Sequence, residues 1–171
     1  YLNGIYLHAA ENEGLPVLRA VATDGHRLAR FEMPLPEGAK DMPGVIIPRK
    51  AINEIRKLID EAGDKIEIGL SDNKLRFSFD HISLTTKLID GTFPDYERVI
   101  PKNNDKFLEV NPAAFASAVD RVSTISSEKS RAVKLTLNGK TMTLSANSPD
   151  SGSASEEIEV RFNSGAMEIG F

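Results

Sequence analysis

The sequence predicts an α+β protein built from repeated strand–helix–three-strand units, and three observations predict it. Two amphipathic helical stretches begin at Pro48 and Asn111, 63 residues apart. Each is followed by three short stretches in which apolar and polar residues alternate, as they do in half-buried antiparallel sheet. A short apolar run, Val45 to Ile47 and Phe107 to Val110, precedes each helix. A repeat at this period points to a modular array of α+β units.

Taken in order, the chain opens on GIYLHAA, VLRAVAT and HRLARFEM, three strand-like runs between Ile5 and Met33 that fit a first copy of the repeat without its helix. Asp24-Gly25 reads as the turn between the second and third runs. The first helix is expected from Pro48 to Gly63. Pro48 suits the first turn and Gly63 a stop, and Ile52, Ile55, Leu58, Ile59 and Ala62 share one face. Strands are expected at Lys65 to Leu70, Lys74 to Phe79 and Ile82 to Ile89, with turns at Asp72-Asn73 and Asp80-His81. The second helix is expected from Asn111 to Ile125, with Asn111 as N-cap and Pro112 in its first turn. Phe115, Val119 and Val122 line its apolar face, with Ala116 and Ala118 at the edges. Its strands are Ala132 to Asn138, Lys140 to Ala146 and Glu156 to Phe162. Asn138-Gly139 is a strong hairpin signal, and Ser148 to Ser155 reads as a loose loop.

Composition narrows the function classes. The chain has 171 residues, 40% hydrophobic and 27% charged, the balance of a folded globular protein. Cys 0 excludes disulfides, thiolate metal sites and cysteine nucleophiles, and it fits a reducing compartment, so a cytoplasmic location is expected. No apolar run approaches the roughly 18 residues of a membrane span, and no membrane partner is expected. The first residues lack the pattern of a secretory signal, and the chain starts on Tyr1 rather than Met, so it reads as a piece of a longer protein. Lys+Arg 21 against Asp+Glu 25 gives a net charge of −4. Nucleic acid can then be bound only if basic residues are segregated onto one surface. On the first helix Lys50, Asn53 and Lys57 oppose the apolar face, Arg49 and Arg56 lie to one side, and Glu54, Asp60 and Glu61 dilute the patch. On the second, Ser117 and Arg121 point away from Phe115. Sheets outside and helices inside would give a modestly basic helical surface suited to sequence-independent phosphate contact.

Chemistry-bearing motifs are sparse. His8, His26 and His81 lack metal-ligand spacing, and the sequence holds no phosphate-binding loop, nucleophile elbow or dinucleotide fingerprint. No metal or other cofactor is expected. The one constellation with a chemical look is ATDGHRLA, Ala22 to Ala29. It reads in three ways: a small hydrolase site in which Asp24 orients His26 for proton transfer, a tight turn with polar flanks, or a protein-binding surface. A nonspecific nucleic-acid-binding module is a further alternative.

ATDGHRLA closely resembles a signature of the bacterial DNA polymerase III beta-subunit family, the replicative sliding clamps. YLNG (Tyr1 to Gly4), VIIPRK (Val45 to Lys50), KLIDGTFPDYERVIPKN (Lys87 to Asn103), SSEKSRAVKL (Ser126 to Leu135) and GAMEIGF (Gly165 to Phe171) are similar in the same order. The resemblance spans essentially the whole chain. It implies the DNA clamp fold: three domains of two strand–helix–three-strand halves each, closed by two subunits into a ring with sheets outside and helices lining the hole. It implies that residues 1–103 are the middle domain lacking its first strand and helix, and residues 104–171 the first half of the third. It implies a processivity factor and not an enzyme, an accessory subunit of the DNA polymerase III holoenzyme. It implies partners as well: encircled duplex DNA, a second subunit, and short peptides of the polymerase III alpha subunit, the clamp loader and repair polymerases. Carried over by position, the peptide pocket comprises Leu2, Thr23, Gly25, His26, Arg27, Leu28, Pro94, Arg98 and Val99. Tyr1 carries over as a DNA contact. Lys50 and Lys57 join it on the helix-face argument.

Overall fold

The computed structural model describes residues 2–61, 63–126 and 132–171. The chain divides into two compact units, Tyr1–Glu97 and Arg98–Phe171.

The first unit begins with β1 (Gly4–Asn12), β2 (Leu15–Thr23) and β3 (Leu28–Pro34). Glu13 and Gly14 join β1 to β2 with φ of 51° and 80°, the doubly positive pair that a two-residue primed turn requires. Next come β4 (Val45–Pro48), α1 (Arg49–Leu58) and a single 3-10 turn, Ile59–Glu61. The unit's last strands are β5 (Glu67–Leu70), β6 (Lys74–Phe79) and β7 (Ile82–Lys87). They form two antiparallel sheets, ordered β3-β2-β1-β4 and β5-β6-β7. The run before the helix meets its own three strands at a single bridge, where the Ile89 N–H donates to the Ile46 carbonyl at 2.9 Å. β4 pairs with β1 of the preceding copy, in the register Gly4↔Pro48 to Leu7↔Val45.

β4 is buried on both faces of its sheet, which explains its unbroken Val45-Ile46-Ile47. On one face Leu7, Leu18, Val45 and Ile47 pack with Ala51 and Ile55 of α1 and with Leu75, Phe77 and Phe79 of β6. Burying Ile55 contributes about 1.5–3 kcal/mol. On the other face Ile46 shares the side occupied by Tyr6, His8, Arg19 and Val21. Pro48 offers α1 no side-chain cap, but the Arg49 N–H donates to the Asn3 carbonyl at 2.9 Å, so the first residues of the chain cap the helix.

The second unit contains β8 (Leu108–Glu109), α2 (Pro112–Ser123), β9 (Lys134–Asn138), β10 (Thr141–Ser148), β11 (Gly152–Glu159), β12 (Arg161–Phe162) and β13 (Met167–Gly170). Asn111 Oδ1 accepts from the Ala114 N–H at 3.0 Å and Pro112 opens the helix, as expected. The main sheet runs β11-β10-β9-β13, and β8 pairs with β12. This order matches β3-β2-β1-β4 strand for strand: in both units the first strand of the three is flanked by a strand from the next copy. The repeat read from the sequence is thus a topological one.

Several expectations need correction. Ile59 is 43% exposed, because the helix tightens into a 3-10 turn after Leu58 and rotates it off the apolar face. Ala62 lies outside the described residues. Ala118 sits at the centre of the buried face of α2, where a small side chain meets the sheet, and Ala116 is exposed. The hairpin after β9 has Gly139 and Lys140 at its centre, with Asn138 still paired to Thr141. Ser148 to Ser155 is not a loose loop: β10 and β11 pair up to Ser148↔Gly152, leaving a tight turn. Among the described residues no helix is long and apolar enough to cross a membrane.

Candidate functional site

The turn between β2 and β3 is held by the side chains that its sequence motif specifies. Thr23 and Leu28 face each other across the strand pair. Thr23 Oγ1 accepts from the Gly25 N–H at 3.1 Å and donates to the Arg27 carbonyl at 2.9 Å. Asp24 Oδ1 accepts from the backbone N–H groups of His26 (3.0 Å) and Arg27 (2.9 Å), and Oδ2 accepts from Arg27 Nε at 3.0 Å. Gly25 supplies the positive φ of 88° that the bend needs. These donors, the Arg27 N–H first, hold the Asp24 carboxyl down at about 2. Asp24 is therefore a turn-forming carboxylate. It is committed to backbone N–H groups and Arg27 rather than to the His26 imidazole, which argues against the proton-transfer reading.

Behind this turn lies a cavity of about 370 Å³. Leu2, Ile5, Leu28 and Ile52 give it apolar walls, while Thr23, Asp24, Arg27 and Arg49 line it with polar groups. Leu2 is 43% exposed and the Arg27 side chain 91% exposed, so an apolar surface stands open beside a guanidinium. A space of this kind suits one buried apolar side chain whose backbone is oriented by the polar groups.

The structure brings Leu2, Thr23, Arg27 and Leu28 together around this cavity. Gly25 and His26 lie in the exposed turn and do not line it. Pro94 is exposed on the segment from Gly91 to Glu97, while Arg98 and Val99 fall in the second unit. Sequence reasoning missed Ile5, Ile52 and Arg49. Their signal was present but masked, because Ile5 and Ile52 sit in runs that read as ordinary core.

The segment containing Pro94 is a strap across the sheet face opposite α1. The Phe93 ring stacks on Tyr6 at 4.8 Å, and Tyr6 stacks on His8 at 4.5 Å. Arg19, 4% exposed, donates to the Tyr96 hydroxyl (2.8 Å), Glu97 Oε1 (2.6 Å) and Glu32 Oε1 (2.7 Å). The buried members of the FPDY motif, Phe93 and Tyr96, anchor the strap to the sheet.

On α1, Lys50, Asn53 and Lys57 are exposed, as the helix spacing predicts, and they border a shallow groove with Asn3, Arg49 and Arg56. Lys57 Nζ lies 3.0 Å from Glu54 Oε1. Tyr1 lies outside the described residues. On α2, Arg121 is paired with Glu156 of β11, so it adds no unpaired charge to that helix. The second unit also has an apolar trough between α2 and its sheet, lined by Phe115, Val119, Leu135, Phe162, Met167 and Phe171, and it includes none of the predicted site residues.

A family model described as DNA polymerase III beta subunit, central domain, matches residues 1–95, and one described as the C-terminal domain of the same subunit matches residues 97–171. The beta sliding clamp of Caulobacter vibrioides is 53% identical over 171 residues, all of this chain and 46% of that protein. The beta sliding clamp of Escherichia coli K12 is 38% identical over 173 residues, covering 100% of this chain and 45% of its own length. The crystal structure of a Bartonella birtlesii sliding clamp bound to griselimycin superposes with a TM-score of 0.93 at 53% identity, covering 100% of this chain and 46% of that one. The chain spans about half the length of the relatives it matches. With the two family models matching residues 1–95 and 97–171 and the fold shared, the chain belongs to the DNA polymerase III beta-subunit family, the beta sliding clamps.

Proposed function

We propose that this chain forms about half of one subunit of a DNA sliding clamp, a processivity factor that encircles duplex DNA and tethers the replicative polymerase. In this reading residues 1–103 belong to the middle domain and 104–171 to the third, two subunits close the ring, and helices face the DNA with the sheets outside. Such a protein works in the cytoplasm as a non-catalytic accessory subunit of the polymerase III holoenzyme. The ring holds DNA by topology, so phosphate contacts can stay few and mobile, and Tyr1, Lys50 and Lys57 are candidates for them. A tethered polymerase meets the primer end at a raised effective concentration.

The observation that carries this reading is the open cavity beside the Asp24–Arg27 turn. Leu2 and Leu28 offer it apolar surface and Arg27 a charged edge, the chemistry that receives a short, partly hydrophobic peptide from the polymerase alpha subunit, the clamp loader or a repair polymerase. Gly25 and His26 lie in the turn beside it, and the family resemblance adds Pro94, Arg98 and Val99 as further peptide contacts. The committed Asp24 carboxylate supports this over the hydrolase alternative.

The test loads the intact protein onto a nicked circular plasmid and follows its retention by gel filtration. Retention that is lost when the plasmid is linearised supports encirclement. Equal retention on linear DNA overturns it. Substituting Leu28→Ala should weaken capture of a clamp-binding peptide by about 1–2 kcal/mol without changing retention on circular DNA.

A further inference from the structure

The groove on α1 is bordered by two parallel rows of side chains, each spaced i, i+4, i+7. The first row is Arg49, Asn53 and Arg56; the second is Lys50, Glu54 and Lys57. Their charges differ. The middle of the second row is a carboxylate that holds Lys57 Nζ at 3.0 and 3.3 Å from its two oxygens. The middle of the first row is a neutral amide that can donate a hydrogen bond. Among the described residues Arg49 and Arg56 carry no such ion pair, and both are exposed. Arg49 and Arg56 are two helical turns apart, about 10 Å along the axis. Each presents a planar fork that fits phosphate oxygens, which the ammonium of Lys57 does not.

We propose that the Arg49–Asn53–Arg56 row, and Arg56 above all, is the phosphate-contacting ridge of α1, with Lys57 a minor contributor because Glu54 neutralises it. The proposal rests on the sliding-clamp reading and corrects the emphasis that charge counting put on Lys57. The row ends at Asp60, which continues it one turn beyond Arg56 and borders the same groove. A carboxylate there repels phosphate and limits the ridge to its first two turns.

The experiment measures fluorescence anisotropy of a labelled mixed-sequence duplex with the intact protein across a sodium chloride series. It compares wild type with Arg56→Ala, Lys57→Ala and Asp60→Asn. All three positions are exposed, so the variants should fold, and circular dichroism checks that. One phosphate contact contributes about 0.9 to the slope of log affinity against log salt. Arg56→Ala should reduce the slope by about that amount, Lys57→Ala by much less, and Asp60→Asn should raise affinity. A Lys57→Ala loss equal to or above that of Arg56→Ala overturns the proposal, as does an unchanged slope for Arg56→Ala. Wild-type protein that binds the duplex but is not retained on circular plasmid overturns the ring reading while leaving the ridge standing. Wild-type protein with no measurable affinity for the duplex overturns the ridge and leaves the ring reading to the plasmid-retention test.

Discussion

Arg19 and Tyr96 are 77 residues apart in sequence, yet the guanidinium of the first donates to the hydroxyl of the second across 2.8 Å. That bond ties the strap to β2. The Tyr96 hydroxyl also lies 3.0 Å from His8 Nε2. Tyr96→Phe keeps the ring that packs edge-on to Phe93 but deletes both bonds. It leaves Arg19 short of an acceptor in a buried place. The expected cost is about 2 kcal/mol, read from the urea midpoint of the variant against wild type.

Gly4 tests how closely β1 approaches β4. A methyl group built on it would collide with the Ile47 carbonyl oxygen, a backbone atom that cannot swing aside. Gly4→Ala should therefore spread the β1–β4 pair and disturb the Asn3 carbonyl that caps α1. We expect a loss of about 2 kcal/mol. Gly165→Ala, with no atom within 4 Å of the added carbon, should change stability by less than about 0.5 kcal/mol. Thermal unfolding of the two variants side by side separates the clash from a general effect of losing glycine.

His8 makes stability depend on pH. Burial pushes its imidazole below the usual 6.5, and the nearby Arg19 charge acts in the same direction. Its Nδ1 faces the Ala9 carbonyl at 2.9 Å, which can only accept, so Nδ1 carries the proton and Nε2 accepts from Tyr96. A second proton on Nε2 would oppose that hydroxyl. The folded state thus binds a proton less readily than the unfolded chain. Stability from this site is complete above about pH 6.5, declines as the unfolded chain protonates below it, and is lost once pH passes the lowered folded value. Urea midpoints measured from pH 7.5 to 5 should fall more steeply for wild type than for His8→Phe, which keeps a ring for stacking and shares His26 and His81 with wild type.

The same residues show what the sequence could and could not reveal. Both helices, the Asn111 cap and most strands were legible because their signals are local: spacing, a capping side chain, a proline in the first turn. Arg19 was not. It shares a face with Val17 and Val21 while Leu18 and Ala20 make the other face apolar too, so the run offers no polar side to explain a charge, and only the strap, arriving from beyond residue 90, supplies its partners. The stretch from Ser148 to Ser155 carries turn-forming residues, yet cross-strand pairing with β10 extends the hairpin to Gly152. β13 is four residues long and takes its register from β9, so nothing within it announces a strand. Of the pocket, the turn was legible as a motif. The cavity was not, since it needs β1, β3 and α1 brought together.

The turn yields the last prediction. Asp24 holds its shape through two backbone N–H groups and the Arg27 side chain, and its carboxyl titrates at about 2. Because the folded value lies below the ordinary 3.8, the contribution is complete above about pH 4 and lost as pH falls through 2. The amide resonances of His26 and Arg27, whose N–H groups bond the carboxylate, should therefore move together as pH falls through 2. At neutral pH, Asp24→Ala removes all three acceptor contacts at once. It frees Arg27 from the turn and should weaken binding of a hydrophobic clamp-binding peptide by more than His26→Ala, whose backbone N–H survives the substitution. Titration calorimetry with one such peptide against both variants decides it. Equal or larger loss for His26→Ala would mean that the imidazole itself touches the peptide and that turn geometry is not what holds it.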